Sequence, residues 1–282
     1  IVPSPYWVSY PPMIQLAQGV PRIVQTIQEE GFKLDSQKLK KAITKKTKAI
    51  VINSPSNPTG AVYTREELED LASVLEGKPI WIVSDDAYSK IIFDGLKFVS
   101  MAGLSKKLFS KTVIFNTCSK TYAMTGWRIG FVTGADDRLM RAMGVLQSQS
   151  TSGANAIAQK AAVSALTTSQ EGVLAMVKEF DRRRQVGLEG FSLIRDANCF
   201  RPQGAFYFFA DFSNYYRRSY KGNRIKNSDD LCTFLLEEAR VAVIPGKEFG
   251  SDKHLRFSFA TSEENIRQAM LRIQETLEKL KK

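Results

Sequence analysis

Histidine is almost absent: one residue, His254, stands in 282. A single imidazole leaves no Ser/His/Asp triad and no histidine-based metal cluster to assemble. Cysteine is nearly as scarce. Cys118, Cys199 and Cys232 are odd in number and widely spaced, which argues against a disulfide framework and for reduced thiols in a cytoplasmic protein. No apolar run approaches the roughly 18 residues of a membrane span. Ile1-Val2-Pro3-Ser4-Pro5 lacks the basic start and long apolar core of a signal peptide. Neither a G-x-G-x-x-G fingerprint nor a Walker loop is present, which sets dinucleotide and P-loop chemistry aside. There is no internal repeat and no low-complexity tract.

What is there is ordinary for a globular chain: 43% hydrophobic and 24% charged residues, enough for a sizeable core. The length suggests one large domain with a smaller one. A net charge of +11 invites a nucleic-acid reading, and Lys38, Lys40, Lys41, Lys45, Lys46 and Lys48 form the densest basic run. These lysines alternate with Leu39, Ala42 and Ile43, the pattern of an amphipathic helix showing its wet face, and no aromatics are interleaved. The expectation is therefore no nucleic acid and no membrane, but a surface that favours acidic substrates and phosphates.

From Lys48 onward apolar strands alternate with helices. Ala49–Asn53 reads as a strand entering Ser54-Pro55-Ser56-Asn57-Pro58-Thr59-Gly60, whose prolines and glycine end it. Thr64 and Glu67 make a capping box opening a helix to about Glu76. Strands follow at 80–83, ending in Ser84-Asp85-Asp86-Ala87-Tyr88, at 113–115, and at 129–132, the last two expected to be buried. A helical tract from 155 to 184, broken near 167–169, bridges to a second unit. There the pattern predicts strands at 204–210, 241–246 and 255–259, a helix over 228–239, and a last helix capped at Thr261-Ser262-Glu263-Glu264. The expected fold is α/β: a mostly parallel sheet with helices on both faces over residues 1–182, plus a smaller α+β domain over 183–282. Ligands of such sheets sit at the carboxyl ends of the strands. That rule gathers Asn57, Asp85 and Lys120 along one rim.

The rim's residue types suit one ligand. A loop lysine turned to water is the ordinary alternative for Lys120, but a lysine beside Arg128 and several hydroxyls can form a Schiff base with an aldehyde if its amine is partly neutral. Asp85 can pair with a protonated ring nitrogen and Asn57 can donate to a ring oxygen. Arg128 suits a phosphate, aided by the hydroxyls of Thr117 and Ser119. That set describes pyridoxal 5'-phosphate.

Ser-Pro-Ser-Asn-Pro-Thr-Gly at 54–60, Ser-Asp-Asp-Ala-Tyr at 84–88, Ser-Lys-Thr-Tyr-Ala-Met-Thr-Gly-Trp-Arg-Ile-Gly at 119–130, Pro-Gln-Gly-Ala-Phe-Tyr at 202–207 and His-Leu-Arg-Phe-Ser-Phe-Ala at 254–260 occur in this order. The chain thereby resembles the class I/II aminotransferases of fold type I, most closely their aspartate aminotransferase-like bacterial branch, from end to end. The resemblance implies a cytoplasmic homodimer that moves an amino group between an L-amino acid and a 2-oxo acid by a ping-pong route. It implies that Lys120 carries the cofactor and shuttles a proton, that Asp85 binds the pyridine nitrogen, and that Tyr88 and Asn57 donate to its phenolic oxygen. Trp7 would stack on the ring, Arg128 and Ser119 would hold the phosphate, and Arg256 would grip the substrate's α-carboxylate, with Asn57 and Trp7 bordering the substrate. Taken singly, Trp7 reads as packing, Tyr88 as core and Arg256 as a strand-face ion pair.

Thr117 stands where the family usually has Gly or Ser, and Ala87 where a larger aliphatic is usual, which would loosen the packing beneath Tyr88. Family members carry a further region ahead of the Pro5 position, so the chain reads as N-terminally incomplete. Two other functions fit the same motifs: a carbon–sulfur β-lyase of the same fold, and the aminotransferase-like sensor half of a transcription regulator.

Overall fold

The structure, a computed structural model, describes residues 1–281. A short parallel pair, β1 (Val2–Ser4) and β2 (Ile23–Gln25), encloses α1 (Tyr10–Leu16) and leads to α2 (Ser36–Ala42). In α2 Leu39 and Ala42 are buried while the lysines face outward, as their spacing requires. Then come β3 (Ala49–Asn53), α3 (Arg65–Leu75), β4 (Trp81–Asp85), α4 (Lys106–Phe109), β5 (Thr112–Thr117), α5 (Cys118–Thr121) and β6 (Gly130–Gly134). The capping box of α3 is complete, with Thr64 accepting from the Glu67 N–H and Glu67 from the Thr64 N–H. The helix buries Leu68, Leu71 and Leu75 against the sheet, each contributing about 1.5–3 kcal/mol.

The sheet order is β3–β4–β5–β6, with β3, β4 and β5 parallel and β6 antiparallel to β5. Register sets Asn53 beside Asp85. The Asn53 amide donates to the Asp85 carbonyl (3.1 Å) and its oxygen accepts from the Asn57 N–H (2.8 Å), tying the loop after β3 to the end of β4.

One expectation fails at β6. The run 129–132 was read as a buried strand, yet Phe131 is 44% and Val132 38% exposed. Among the described residues no element covers this face, which with α6 (Asp137–Ser150) and α7 (Ala156–Thr167) lines an open groove of about 1240 Å³. Helix α6, not anticipated from the sequence, buries none of its residues.

After the anticipated break, α8 (Glu171–Leu193) runs beyond Arg184, so residue 183 lies inside a helix. The rest comprises β7 (Asn198–Cys199), β8 (Tyr207–Asp211), β9 (Ser219–Tyr220), β10 (Asn223–Arg224), α9 (Ser228–Phe234), β11 (Ile244–Pro245), β12 (His254–Ser258) and α10 (Glu263–Leu277). Strands order as β11–β12–β8–β7, all antiparallel. The strand expected at 204–210 starts later, at Tyr207, because Ala205 takes a left-handed φ of 58° that breaks the extended backbone. The strand expected at 241–246 shortens to β11, and the helix over 228–239 ends in a π turn at Leu235–Ala239. The sole histidine is a core residue: His254 stacks on Phe209 (4.6 Å, 7°), bonds the Ser251 hydroxyl through Nδ1 (2.8 Å), and is pushed down to about 4 by burial.

Helix α8 is fastened to the first half by one buried cation. Arg184 is 0% exposed; its guanidinium donates to both Asp94 oxygens (2.8 and 2.6 Å), to Asp181 (3.0 Å) and to the Pro202 carbonyl (2.7 Å), and lies 4.5 Å from the Phe93 ring centroid. Those hydrogen bonds hold the Asp94 carboxyl down to about 2. A depressed carboxylate stabilises fully above its unfolded value near about 4 and stops doing so as pH falls through its folded value. Arg184→Ala is expected to lower the unfolding free energy at pH 7 by about 2–4 kcal/mol. Urea unfolding at pH 7 and at about pH 2 checks this, with the deficit shrinking at the lower pH.

Candidate active site

Every residue singled out from the sequence lines one cleft of about 420 Å³: Trp7, Asn57, Asp85, Tyr88, Thr117, Ser119, Lys120, Arg128 and Arg256. Its floor is the carboxyl end of the parallel strands. The β3 loop contributes Asn57, β4 ends in Asp85, and the β5–β6 connection carries Lys120 and Arg128. Arg256 arrives from β12 across the boundary and donates to Asn57 Oδ1 (3.0 Å).

The lysine loop is shaped by Thr117, which caps α5 by accepting from the Ser119 N–H. Its hydroxyl also lies 2.9 Å from both the Ile129 carbonyl and the Ser119 hydroxyl. Those contacts make Thr117 part of the frame that holds the loop, and it lines the cleft beside Ser119. Arg128, in the left-handed region at φ 52°, donates to the Thr125 carbonyl (2.8 Å).

Electrostatics in the cleft are uneven: Lys120, Arg128 and Arg256 face one carboxylate, Asp85. Burial first, then repulsion from Arg128 and Arg256, lowers the Lys120 pKa, against the pull of Asp85. This is the direction that frees an amine lone pair near neutrality. Burial raises Asp85, countered by hydrogen bonds from Tyr10 and the Ala87 N–H and by Lys120. Arg256 is lowered by burial, and its Nε is a buried polar atom with no partner among the described residues. An unpaired buried donor of this kind marks a place for an acceptor.

Tyr88 is 4% exposed, set edge-on against Phe206 and Tyr207, so Ala87 does not loosen its packing. Lys120 Nζ lies 5.9 Å from the Tyr88 ring centroid and 5.8 Å from that of Phe206. Asp86 is buried behind the cleft, bonded to Ser84 (2.7 Å) and pushed up to about 6 by burial.

Two tyrosines were not anticipated. Tyr10, at the start of α1, donates its hydroxyl to Asp85 Oδ2, and Tyr207 lines the cleft from β8. Tyr10 follows Trp7 closely and Tyr207 closes the motif at 202–207, but only the fold shows what their hydroxyls meet.

The lysine of lowered pKa, the buried carboxylate and the two arginines lie together at the strand ends of an α/β fold. The family model of aminotransferase class I and II matches residues 1–273, and the chain belongs to that family; it is a transaminase. It is 45% identical over 276 residues to an aspartate/prephenate aminotransferase of Cereibacter sphaeroides, covering 97% of this chain and 69% of that one. Among solved structures, an aspartate aminotransferase from Rhizobium meliloti superposes with a TM-score of 0.94 at 40% identity, covering 99% and 70% of the two chains. An aromatic aminotransferase from Pyrococcus horikoshii gives 0.90 at 37%, covering 98% and 72%. The chain thus spans about 70% of the length of these relatives, 69–72%.

Removing the Tyr10 hydroxyl deprives Asp85 of a donor. Tyr10→Phe is expected to raise the Asp85 pKa further, read as an upfield-to-downfield carboxyl transition displaced to higher pH in carbon-13 NMR of labelled aspartate; an undisplaced transition would show the contact to be without effect.

Proposed function

We propose that the cleft binds pyridoxal phosphate and uses it to move an amino group between an L-amino acid, aspartate-like by preference, and a 2-oxo acid. The observation that carries this reading is the charge pattern of the cleft, two arginines and one buried carboxylate around a lysine of lowered pKa. The donor set fits the cofactor: Lys120 for its aldehyde carbon, Asp85 for its ring nitrogen, Asn57 and Tyr88 for its phenolic oxygen, Trp7 for its ring face, Arg128 and Ser119 for its phosphate. Bound there, the cofactor supplies an electron sink for the bond broken at the substrate's Cα.

The chain's own residues do the rest. Arg256, buried and with Nε unpartnered, receives the substrate's α-carboxylate as a planar bidentate donor, and its bond to Asn57 fixes the angle of approach. Lys120, its pKa lowered by burial first and then by Arg128 and Arg256, takes the proton at the substrate's Cα. Asp85, raised by burial but with its ionised form favoured by hydrogen bonds from Tyr10 and the Ala87 N–H, pairs with a positive ring nitrogen. Trp7 is 37% exposed, which leaves a face available to a ring. The preference for aspartate rests on the relatives' names and the cationic cleft. A cytoplasmic setting and a homodimer belong to the same reading, supported by the three free cysteines and by the family.

Steady-state kinetics with L-aspartate and 2-oxoglutarate should give oxaloacetate and parallel double-reciprocal lines; pyruvate and ammonia released without an acceptor would indicate a lyase instead. Lys120→Ala should cut turnover by at least about a thousandfold, the upper range for a positioned proton carrier. Arg256→Ala should lower kcat/KM by about a hundredfold, as for loss of one partner of a buried charged pair, and retain cofactor absorbance.

A further inference from the structure

The motif ending in Tyr207 enters the cleft without a part in the reaction as set out so far. Tyr207 opens β8 and is buried. Across the β12–β8 register Arg256 faces Phe209, and Tyr207 is the next residue on that face. Its ring therefore lies under the guanidinium, with Arg256 Cζ 4.5 Å from the ring centroid. The other end of the same side chain reaches the first unit: its hydroxyl is 2.8 Å from that of Tyr88, the two rings 5.9 Å apart and nearly perpendicular. One side chain touches both the proposed carboxylate grip and the phenol proposed to face the cofactor's ring oxygen.

We propose that Tyr207 is a positioning residue for transamination, its ring seating Arg256 and its hydroxyl donating to the Tyr88 hydroxyl so that Tyr88 is directed as a donor into the cleft. This rests on the cofactor reading above. Each phenol has one proton to give. If Tyr88 donates into the cleft, its oxygen is left as an acceptor, and Tyr207 is the hydroxyl within reach to serve it. Donors in series polarise one another, so the outer bond of Tyr88 strengthens. The charged groups facing the pair are Asp85, Arg256 and, over the Tyr88 ring, Lys120. Arg256 acts on both phenols alike, whereas Asp85 acts on Tyr88 and makes it the poorer donor of the two, which favours donation from Tyr207. Tyr207 thereby links β12, which carries the carboxylate grip, to the loop after β4.

The ring and the hydroxyl are separable by substitution. Tyr207→Phe keeps the seat of Arg256 and removes the donor to Tyr88; Tyr207→Leu removes both. The test is a pH titration of the visible absorption of the chain loaded with pyridoxal phosphate, alongside KM for L-aspartate. With Tyr88 a weaker donor, the cofactor's ring oxygen holds negative charge less well, and the proton it shares with the linking nitrogen is lost at higher pH. Tyr207→Phe should raise that apparent pKa by about half a unit with KM within about twofold of wild type. Tyr207→Leu should add an increase in KM of about fivefold, the size of a lost cation–π contact. A Tyr207→Phe titration superimposable on wild type overturns the inference, as do identical changes in KM for the two variants. A wild-type chain that gains no visible band from pyridoxal phosphate overturns the cofactor reading itself, which separates the two failures.

Discussion

Burial of a lysine beside two arginines in a partly dry cleft is the constraint on which the rest depends. Lys120 shares its surroundings with Arg128 and Arg256, and only Asp85 opposes them. In water such charges would be screened; at the end of buried strands the two arginines add to the effect of burial on the lysine. Holding them together needs a rigid frame, supplied by the β3–β4 register, the Asn53 tie and the Thr117 cap. The same field that lowers the lysine leaves the cleft short of negative charge, which an anionic cofactor and a carboxylate substrate would bring.

The frame and the rim were legible in the sequence because short apolar runs announce buried strands and the loops that follow hold polar residues in quantity. Asn57, Asp85 and Lys120 could be gathered by a single rule about strand ends. Residues whose parts are defined by contacts distant in the chain were not legible. Tyr10 meets Asp85, and Tyr207 meets Tyr88, through folding alone. Thr117 has a part that its position in the sequence does not announce, since its hydroxyl also holds the lysine loop. At β6 the apolar composition was read correctly as a strand, but composition does not say whether a second layer covers it.

The two sheets meet at a boundary crossed by α8, and that crossing has functional weight. Arg184 anchors the helix to the Asp94 loop, while Arg256, Asn57, Tyr207 and Tyr88 meet across the same boundary at the cleft. A ligand bridging Arg256 and Lys120 would therefore be held by both units at once. Solved structures named as an aspartate and an aromatic aminotransferase share this architecture.

Reduction of the pyridoxal phosphate-loaded chain with borohydride, followed by peptide mass mapping, bears most directly on the central claim. The account predicts a single stable phosphopyridoxyl label on Lys120. Label on a different lysine, or spread over the lysine-rich surface with Lys120 unmodified, would contradict it.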